Sequence, residues 1–458
     1  MKNTFTEMNQ KEYGDNYPLI KFPSYDESST FESKRNALLE QIKGKALWGY
    51  GDTKTDCNNL SEGCRLCGAG LWSCLFINGH CNCSCFYCPT RQDEDCLPTT
   101  NSVTFNSPEE YAEYVNEFSF KGVSISGGEP LLTPELTISY IKTVRNNCAP
   151  DMYIWMYTNG SLITKEILIQ LRDAGLNEIR FDIGARNYDL ENLKLAVGII
   201  PVVTVEIPAV PEELNQMKEI IKQLAHMGVN HLNLHQLRLT PYNFDRLMKH
   251  DYTYIHNDKI TVIESELTAL ELIDYVYEKN IKLAINYCSY PYKSRYQGLA
   301  SRTRNGNYMI KPFENMTQDG FVRLINLKCN EEKISAIFSG ISNENKHLVE
   351  LNRDKKQISI HPSMLTIDVI DGCEMELSYF SAIQLQSVSY RNPFITVDLK
   401  GGKRIIIERF KALNTFSISN DNANDLIRHL SDCTPFNIDT LADILRHEQI
   451  ETGLLPYI

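Results

Sequence analysis

Three cysteines, Cys81, Cys85 and Cys88, form a Cys-x3-Cys-x2-Cys pattern just after an apolar stretch, Leu71 to Ile77, that is typical of a buried strand. Thiolates this close in sequence can reach three corners of one iron–sulfur cube. Because a [4Fe–4S] cluster usually takes four Cys ligands, three thiolates leave one iron open to a small molecule. An open position of this kind separates a catalytic metal site from a structural one. Taken alone, the pattern also fits a zinc site or buried thiols.

A second motif, Gly127-Gly128-Glu129-Pro130, stands at the end of another short apolar strand, Gly122 to Ser126. Glycine has no Cβ, so the backbone can approach a ligand closely and turn sharply there. The glycine carbonyls and the carboxylate of Glu129 offer acceptors to an ammonium group. Taken alone, the motif is most often a turn. Two motifs in this order, each beside a strand, favour a shared site.

Together the motifs resemble the radical S-adenosylmethionine (SAM) superfamily, and the phrase Leu-Phe-Ile-Asn-Gly-x-Cys…Cys-Phe-Tyr-Cys-Pro resembles a poorly characterised group related to pyruvate formate-lyase activating enzymes. The resemblance covers about residues 57 to 310. It implies that three cysteines hold a [4Fe–4S] cluster whose fourth iron binds SAM. The implied SAM contacts are Tyr87 at the adenine, Gly127, Gly128 and Glu129 at the amino group, and Thr158, Asn159 and Asp182 at further strand ends. Ile207 is a weaker candidate that is more often a core residue.

The implied reaction starts when an external one-electron reductant, of the flavodoxin or ferredoxin type, reduces the cluster. Reductive cleavage of SAM then gives a 5′-deoxyadenosyl radical that abstracts hydrogen from a substrate. An incomplete barrel leaves a lateral opening through which a peptide or protein could enter. Three alternatives stay open: sulfur insertion, RNA modification, and a non-catalytic iron–sulfur binding or electron-transfer protein.

Nine of the 14 cysteines lie between Cys57 and Cys96, and such clustering in a large chain favours metal ligation over disulfides. Cys64 and Cys67 form a Cys-x2-Cys knuckle. We expect a second metal site, either an iron–sulfur cluster or zinc, with ligands drawn from Cys57, Cys64, Cys67 and Cys74; Cys96 is a further candidate, and Cys74 could simply be core. Cys83 is off the ligand spacing and is interpreted as a bystander. The scattered cysteines are interpreted as buried thiols: Cys148, Cys288, Cys329, Cys373 and Cys433.

Composition excludes several classes of protein. The chain of 458 residues is 42% hydrophobic and 23% charged, as in globular proteins, and its net charge is −12. This charge disfavours a general nucleic-acid binder. Residues 1–26 lack the apolar core of a secretory signal, and no apolar run is long enough to span a bilayer. We therefore expect no membrane association and a cytoplasmic location.

From Leu71 onward, strands alternate with helices. The strands are expected at 71–77, 122–126, 152–158, 178–183, 201–207, 230–236 and 281–287. The helices are expected at 108–118, 134–146, 165–173, 190–197, 216–226 and 266–278. Alternation of this kind predicts a parallel sheet with right-handed crossovers. Six or seven units predict an α/β fold with an incomplete (β/α)6-7 TIM-like barrel, whose chemistry lies at the carboxyl ends of the strands.

Three domains are expected: a polar lead-in over 1–56 with one helix, Phe31 to Ile42; the partial barrel with its Cys-rich entry segment over 57–325; and a β-rich domain with a short helical tail over 326–458. Residues 238–265 form an insert that is either a lid or a peripheral excursion. The C-terminal strands are expected at 357–361, 364–370, 375–389, 394–399 and 404–410, with Gly401-Gly402 as a two-residue hairpin turn. Two helices are expected, near 422–430 and 438–446.

Two further groups of residues are candidates for substrate contacts. Asn233, His235 and Gln236 lie near the end of the sixth strand, where Asn233 and His235 share one face. A basic-aromatic stretch, 290–295 with Arg302 and Arg304, could bind an anionic group, although a solvated loop is the commoner reading of such a stretch.

Overall fold

The computed structural model describes residues 2–352, 354, 356–412, 415–418, 423, 426–428, 430, 444 and 447–457. Seven parallel strands lie side by side in chain order. They are β1 (Trp72–Phe76), β2 (Gly122–Ser126), β3 (Tyr153–Thr158), β4 (Glu178–Phe181), β5 (Val202–Pro208), β6 (His231–His235) and β7 (Ala284–Cys288). The sheet is open, because β1 and β7 stand at opposite sides of this order. The expected incomplete barrel is therefore confirmed.

Short antiparallel strands border the sheet on both sides. Lys54–Thr55 pairs with β7, and Thr99–Thr100 and Val103–Thr104 form a hairpin beside β1. The helices up to β7 are α1 (Lys2–Tyr13), α2 (Tyr25–Ile42), α3 (Glu62–Gly68), α4 (Pro108–Glu117), α5 (Pro134–Asn147), α6 (Lys165–Ala174), α7 (Glu191–Ala196), α8 (Leu214–Met227), α9 (Phe244–Leu247) and α10 (Ile263–Glu278). None of the helices formed by the described residues combines the length and apolar composition needed to cross a membrane.

Alternate residues of each strand face the helices or the barrel interior, as the two-residue period of a strand requires. In β5, Val203, Val205 and Ile207 belong to the main hydrophobic core, while Glu206 lines the interior. Ile207 is therefore a fully buried core residue and points away from the barrel interior, where SAM was expected.

The start of the chain holds more structure than its sequence indicated. The helix expected at Phe31 begins at Tyr25, because the side chains of Ser24 and Glu27 form a capping box there. Helix α1 was not expected, since its sequence is polar and lacks an apolar stripe. It is held by tertiary contacts instead: Asn9 Nδ2 donates to the carbonyl of Asn257 in the 238–265 insert at 3.0 Å.

The C-terminal part forms a second, antiparallel sheet, which confirms the expected β-rich region. Its main strands are β8 (Val322–Lys328), β9 (Val349–Asn352), β10 (Gln357–Ile360), β11 (Glu374–Leu385), β12 (Phe394–Asp398), β13 (Arg404–Lys411) and β14 (Phe416–Ile418). Residue 325 falls inside β8, so a boundary drawn there would divide a strand of this sheet. One side of the sheet packs on α4, where Tyr114 Oη donates to Gln384 Oε1 at 2.8 Å.

Three local predictions in this region were wrong, and the first two concern a strand and a hairpin turn. Residues 364–370 are not a strand: a helix, Ile367–Ile370, begins after Thr366, whose side chain accepts from the amide of Val369. The hairpin at Gly401 and Gly402 has three turn residues, because Leu399 still pairs with Lys403 and Gly402 takes a φ of 87°.

Cys329 and Cys373, expected as separate thiols, form a disulfide. The pairing of Lys328 with Glu374 brings the two cysteines together at the ends of adjacent strands. Cys433 and most of the two expected terminal helices lie outside the described residues.

A charged network fills the middle of the barrel interior. Arg180 on β4 is 3% exposed and donates to Glu178 Oε1 at 2.9 Å and to Glu206 Oε2 at 2.7 Å. Its guanidinium also donates to Ser61 Oγ at 3.1 Å, which ties the network to the start of α3. Although burial alone would raise it, the pKa of Glu206 is lowered to about 2 by the charge of Arg180. Glu206 is therefore ionised across the neutral range.

Removing the charge of Arg180 should destabilise the fold strongly. Arg180→Leu leaves the buried carboxylate of Glu178 and the partly exposed carboxylate of Glu206 without their cation, which costs about 3–5 kcal/mol of the free energy of unfolding. Arg172→Leu removes an exposed arginine, paired with Asp173, and should change that free energy by no more than about 0.5 kcal/mol. Urea denaturation of both variants measures the difference. Equal losses in the two variants would contradict a structural role for the network.

Candidate active site

The loop that follows β1 carries Cys81, Cys85 and Cys88, and all three line one cavity of about 430 Å³ at the carboxyl ends of the strands. None of the three forms a disulfide. Burial raises the pKa of Cys85 to about 12 and also raises the pKa of Cys88. A positively charged group bound among these thiols would lower their pKa values and stabilise the thiolates. Cys83, expected as a bystander, also lines this cavity, and its amide donates to Cys81 Sγ at 3.4 Å.

Gly127 and Gly128 allow the end of β2 to pack directly on the start of the cluster loop. A Cβ at residue 127 would lie 2.5 Å from the carbonyl oxygen of Asn78, and one at residue 128 would lie 1.7 Å from that of His80. The backbones are hydrogen-bonded here, from Gly128 N to Asn78 O at 3.0 Å and from Glu129 N to His80 O at 2.7 Å. The requirement for glycine is therefore set at least in part by the protein's own backbone.

Glu129 lines the cavity but is only 1% exposed. Its carboxylate accepts three hydrogen bonds, from Leu131 N at 3.0 Å, Thr158 Oγ1 at 2.8 Å and Asn159 N at 2.7 Å. Burial nevertheless raises its pKa. Glu129 thus joins the ends of β2 and β3, in addition to any contact with a ligand.

Tyr87 and Asp182 form a pair on the cavity wall, with Tyr87 Oη donating to Asp182 Oδ1 at 2.8 Å. Asp182 also accepts from Ala185 N at 3.3 Å, and burial raises its pKa to about 6. Asn159 reaches back toward the cluster loop, since its Nδ2 lies 2.8 Å from Asn82 Oδ1 and 3.7 Å from Cys81 Sγ. The structure therefore brings together all the residues expected around SAM except Ile207.

These residues fit the cofactors that the motifs imply. The donor set is three free thiols around one cavity, next to a glycine backbone, a buried carboxylate and a tyrosine. Among the described residues, no three His, Cys, Asp or Glu side chains lie close enough together to hold a single metal ion.

The 238–265 insert is neither a free lid nor a peripheral excursion, because it supports the cluster loop. Arg246 on α9 donates to the carbonyl of Cys85 at 3.0 Å and to that of Cys88 at 3.2 Å. Asn243 Nδ2 donates to the carbonyl of Tyr87 at 3.2 Å. The other side of the insert packs on α1, where Tyr13 shares a hydrophobic cluster with insert residues.

The expected second set of thiols is rearranged in the structure. Cys64 and Cys67 line the cavity, but the third cysteine beside them is Cys288 at the end of β7, not Cys74. Cys74 faces a neighbouring cavity of about 760 Å³ along the open side of the barrel, and Cys57 lines neither cavity. Cys96 is exposed. Sequence spacing alone could not identify Cys288, because β7 is more than 200 residues from α3.

Asn233, His235 and Gln236 all line the cavity, as expected. Burial lowers the pKa of His235 to about 3, so its imidazole is neutral. The basic-aromatic stretch is helical over 290–307 rather than a solvated loop. Its arginines bind the protein itself: Arg302 pairs with Asp319 and Arg304 donates to the carbonyl of Gly70.

Several residues of the cavity were missed by sequence reasoning. The buried cations Lys54 and Arg180 and the carboxylate of Glu206 all line it. Lys293 also lines it and belongs to the basic-aromatic stretch that the sequence indicated. The available signal was a charged residue inside an otherwise apolar strand, which holds for Arg180 and Glu206.

Adding a methyl group at residue 128 should disrupt the site. In Gly128→Ala the Cβ would clash with backbone, which cannot move aside cheaply, so we expect a loss of about 1–3 kcal/mol in unfolding free energy and a lower iron content. Gly340→Ala is the control, since a Cβ there meets nothing within 4 Å. Thermal denaturation and iron analysis check both variants. A Gly128→Ala protein as stable as the control would refute the close packing.

Removing Arg246 should loosen the loop that carries the thiols. Arg246→Met loses both hydrogen bonds to carbonyls of the loop, and loss of such outer partners typically weakens metal binding about 10- to 100-fold. Arg404→Met removes an exposed arginine paired with Asp398 and should have no effect. The measurement is the rate of iron loss to a chelator after anaerobic reconstitution. Equal rates in the two variants would show that Arg246 does not hold the loop.

Comparison with known proteins agrees with this site. The family model of the Radical SAM superfamily matches residues 75–192. A Methanocaldococcus jannaschii protein, provisionally named a glycyl-radical enzyme activating enzyme, is 30% identical over 331 residues, which cover 69% of this chain and 85% of that protein. The GTP 3′,8-cyclase of Sulfurimonas denitrificans is 29% identical over 168 residues, 33% of this chain and 50% of the cyclase.

Among solved structures, Streptococcus suis SuiB bound to S-adenosylmethionine covers 66% of this chain and 68% of its own, with 12% identity and a TM-score of 0.39. The first relative is matched over most of its length, and the family model covers the cluster loop and the strands around it. The chain therefore belongs to the radical SAM superfamily of enzymes.

Proposed function

We propose that this enzyme cleaves SAM reductively at a [4Fe–4S] cluster held by Cys81, Cys85 and Cys88. Membership of the superfamily implies both cofactors. The observation that carries the proposal is that the three thiols share one cavity with Gly127, Gly128, Glu129, Tyr87 and Asp182. When bound, the cluster and SAM supply a 5′-deoxyadenosyl radical that abstracts hydrogen from a substrate.

The chain's own residues position SAM and exclude water. Tyr87 offers its ring to the adenine, and Asp182 offers a carboxylate to the ribose hydroxyls. The Gly127 and Gly128 backbone and Glu129 receive the amino group of the methionyl part, with Thr158 and Asn159 holding the Glu129 carboxylate in place. Glu129, Thr158 and Asn159 are buried, so this part of the wall excludes solvent.

A peptide or protein is the substrate class that we propose. The cavity of the active site and the larger cavity on the open side of the barrel share Trp72, Lys293 and Gln297 in their walls, so the two cavities adjoin at the side where we propose that such a substrate enters. The name of the Methanocaldococcus jannaschii relative gives it a protein substrate, a glycyl-radical enzyme. The C-terminal sheet packs beside the barrel and is a candidate surface for recognising such a substrate.

The electron must come from outside the chain. We propose a flavodoxin or ferredoxin as donor and a cytoplasmic location. The net charge of −12 disfavours an RNA substrate.

Sulfur insertion is the second candidate function. It is favoured by one observation, the additional thiols of Cys64, Cys67 and Cys288 in the wall of the same cavity. Loss of one sulfide from the protein per turnover would distinguish it from simple hydrogen abstraction.

Formation of 5′-deoxyadenosine tests the proposal. The protein is reconstituted anaerobically with iron and sulfide, then reduced in the presence of SAM. We expect the wild type to form 5′-deoxyadenosine and Cys85→Ala to form none, because the cluster loses a ligand. Cys83→Ala is the matched control in the same loop and should retain the activity.

Two results would contradict the proposal. One is activity that persists in Cys85→Ala and disappears in Cys83→Ala. The other is a wild type that carries a full cluster, forms no 5′-deoxyadenosine, and has an EPR spectrum that does not change when SAM is added. A SAM-dependent EPR change without product would support SAM binding at the open iron and indicate that cleavage requires the substrate.

A further inference from the structure

Three thiols from distant parts of the chain line the cavity in addition to those of the cluster loop. Cys64 and Cys67 lie on α3, and their three-residue spacing places both on one face of the helix. Cys288 is the last residue of β7. All three line the same cavity as the expected SAM site.

Helix α3 is fixed at the amino-terminal end of the barrel. A Cβ on Gly63 would lie 2.4 Å from Arg180 Nη2 and 3.3 Å from the Trp155 ring, so the helix packs tightly against the inner side chains of the barrel. The side chain of Leu66 lies against Gly122, the first residue of β2. Ser61 caps the helix by accepting from Cys64 N. The two thiols therefore point into the cavity from a fixed support.

Each of the three sulfurs accepts a hydrogen bond from a side chain. The donor to Cys64 Sγ is Asn233 Nδ2 at 3.3 Å, and the donor to Cys67 Sγ is Gln297 Nε2 at 2.9 Å. Cys288 Sγ accepts from Lys54 Nζ at 2.6 Å. Sulfurs surrounded by donors are typical of metal-bound thiolates, whose partners orient the ligand and tune the metal.

Lys54 supplies a buried positive charge at this point. It is fully buried on the edge strand, where the register places it opposite Cys288, and its Nζ also donates to Asn286 Oδ1 at 2.6 Å. A buried ammonium group is costly unless anionic groups surround it. Thiolates provide that negative charge, and an iron–sulfur group bound to them would retain it.

We propose that Cys64, Cys67 and Cys288 hold a second iron–sulfur cluster, which faces the Cys81/Cys85/Cys88 cluster across the cavity. Cys57 does not line the cavity, and its Sγ points to the carbonyl of Lys54 at 3.5 Å. Three protein ligands leave one iron of a [4Fe–4S] cluster open to the space between the two sites. The binding of iron at this site is independent of SAM cleavage and of the proposed function.

Iron and sulfide counts after anaerobic reconstitution test the ligand set. The wild type should carry about eight irons per chain, and Cys57→Ala should match it. The combined Cys81→Ala, Cys85→Ala and Cys88→Ala variant should keep about four irons, with an EPR signal after dithionite reduction. The combined Cys64→Ala, Cys67→Ala and Cys288→Ala variant should also keep about four.

Several outcomes would overturn the proposal. A wild type with only about four irons would do so, even if a combined variant fails to fold. A first combined variant that folds, as judged by circular dichroism, but holds no iron would do so as well. Zinc in place of iron would refute the iron–sulfur assignment, and loss of about four irons in Cys57→Ala would refute the open iron. Failure of 5′-deoxyadenosine formation changes none of these counts, so the two proposals fail separately.

Discussion

The buried carboxylate of Glu129 is the interaction on which the shape of the cavity depends. Its backbone amide donates a hydrogen bond to the carbonyl of His80 at the start of the cluster loop. Its carboxylate accepts hydrogen bonds from Thr158 and Asn159 at the end of β3. Strand ends are followed by loops, whose positions the sheet alone does not fix. One residue thus sets the distance between the cluster loop and two neighbouring strand ends. A carboxylate can be buried here because three donors replace its lost hydration.

The other side of the cluster loop is supported by a chain of contacts that begins at the N-terminus of the protein. Helix α1 holds the insert through Asn9, and the insert holds the loop through Arg246 at the carbonyls of Cys85 and Cys88. The loop is therefore fixed from the strand side and from the insert side. This explains why α1 forms although its sequence has no apolar stripe: its stability comes from tertiary packing, which is the usual case for helices in proteins.

The barrel and the first cluster site could be predicted from sequence because their signals are local. All seven strands and six of the seven α-helices between them follow from apolar runs, and the cysteine and Gly-Gly-Glu motifs each lie within a few residues. Cys288, Arg246 and the Cys329–Cys373 disulfide could not be predicted, because each acts on a partner that only the fold brings near. Cys74 was a reasonable second-site ligand by spacing, but strand alternation directs it to the lateral opening. The prediction of a strand at 364–370 was wrong for the opposite reason. Thr366 is a local signal for the start of a helix, but the apolar residues around it were interpreted as a strand.

Basic side chains outnumber carboxylates in the lining of the cavity. The lining includes four basic side chains, Lys54, Arg180, Arg238 and Lys293, against three carboxylates, Glu129, Asp182 and Glu206, although the whole chain carries a net charge of −12. Arg180 is neutralised by its own carboxylates, whereas Lys54 has a sulfur as its acceptor and burial lowers the pKa of Lys293. Cations buried in a low-dielectric interior require anionic neighbours. The thiols in the lining become anionic neighbours of these cations only when they are ionised. The ionised thiolate is also the form that binds metal. The basic residues inside an acidic protein and the seven free thiols of its cavity therefore meet the same electrostatic requirement.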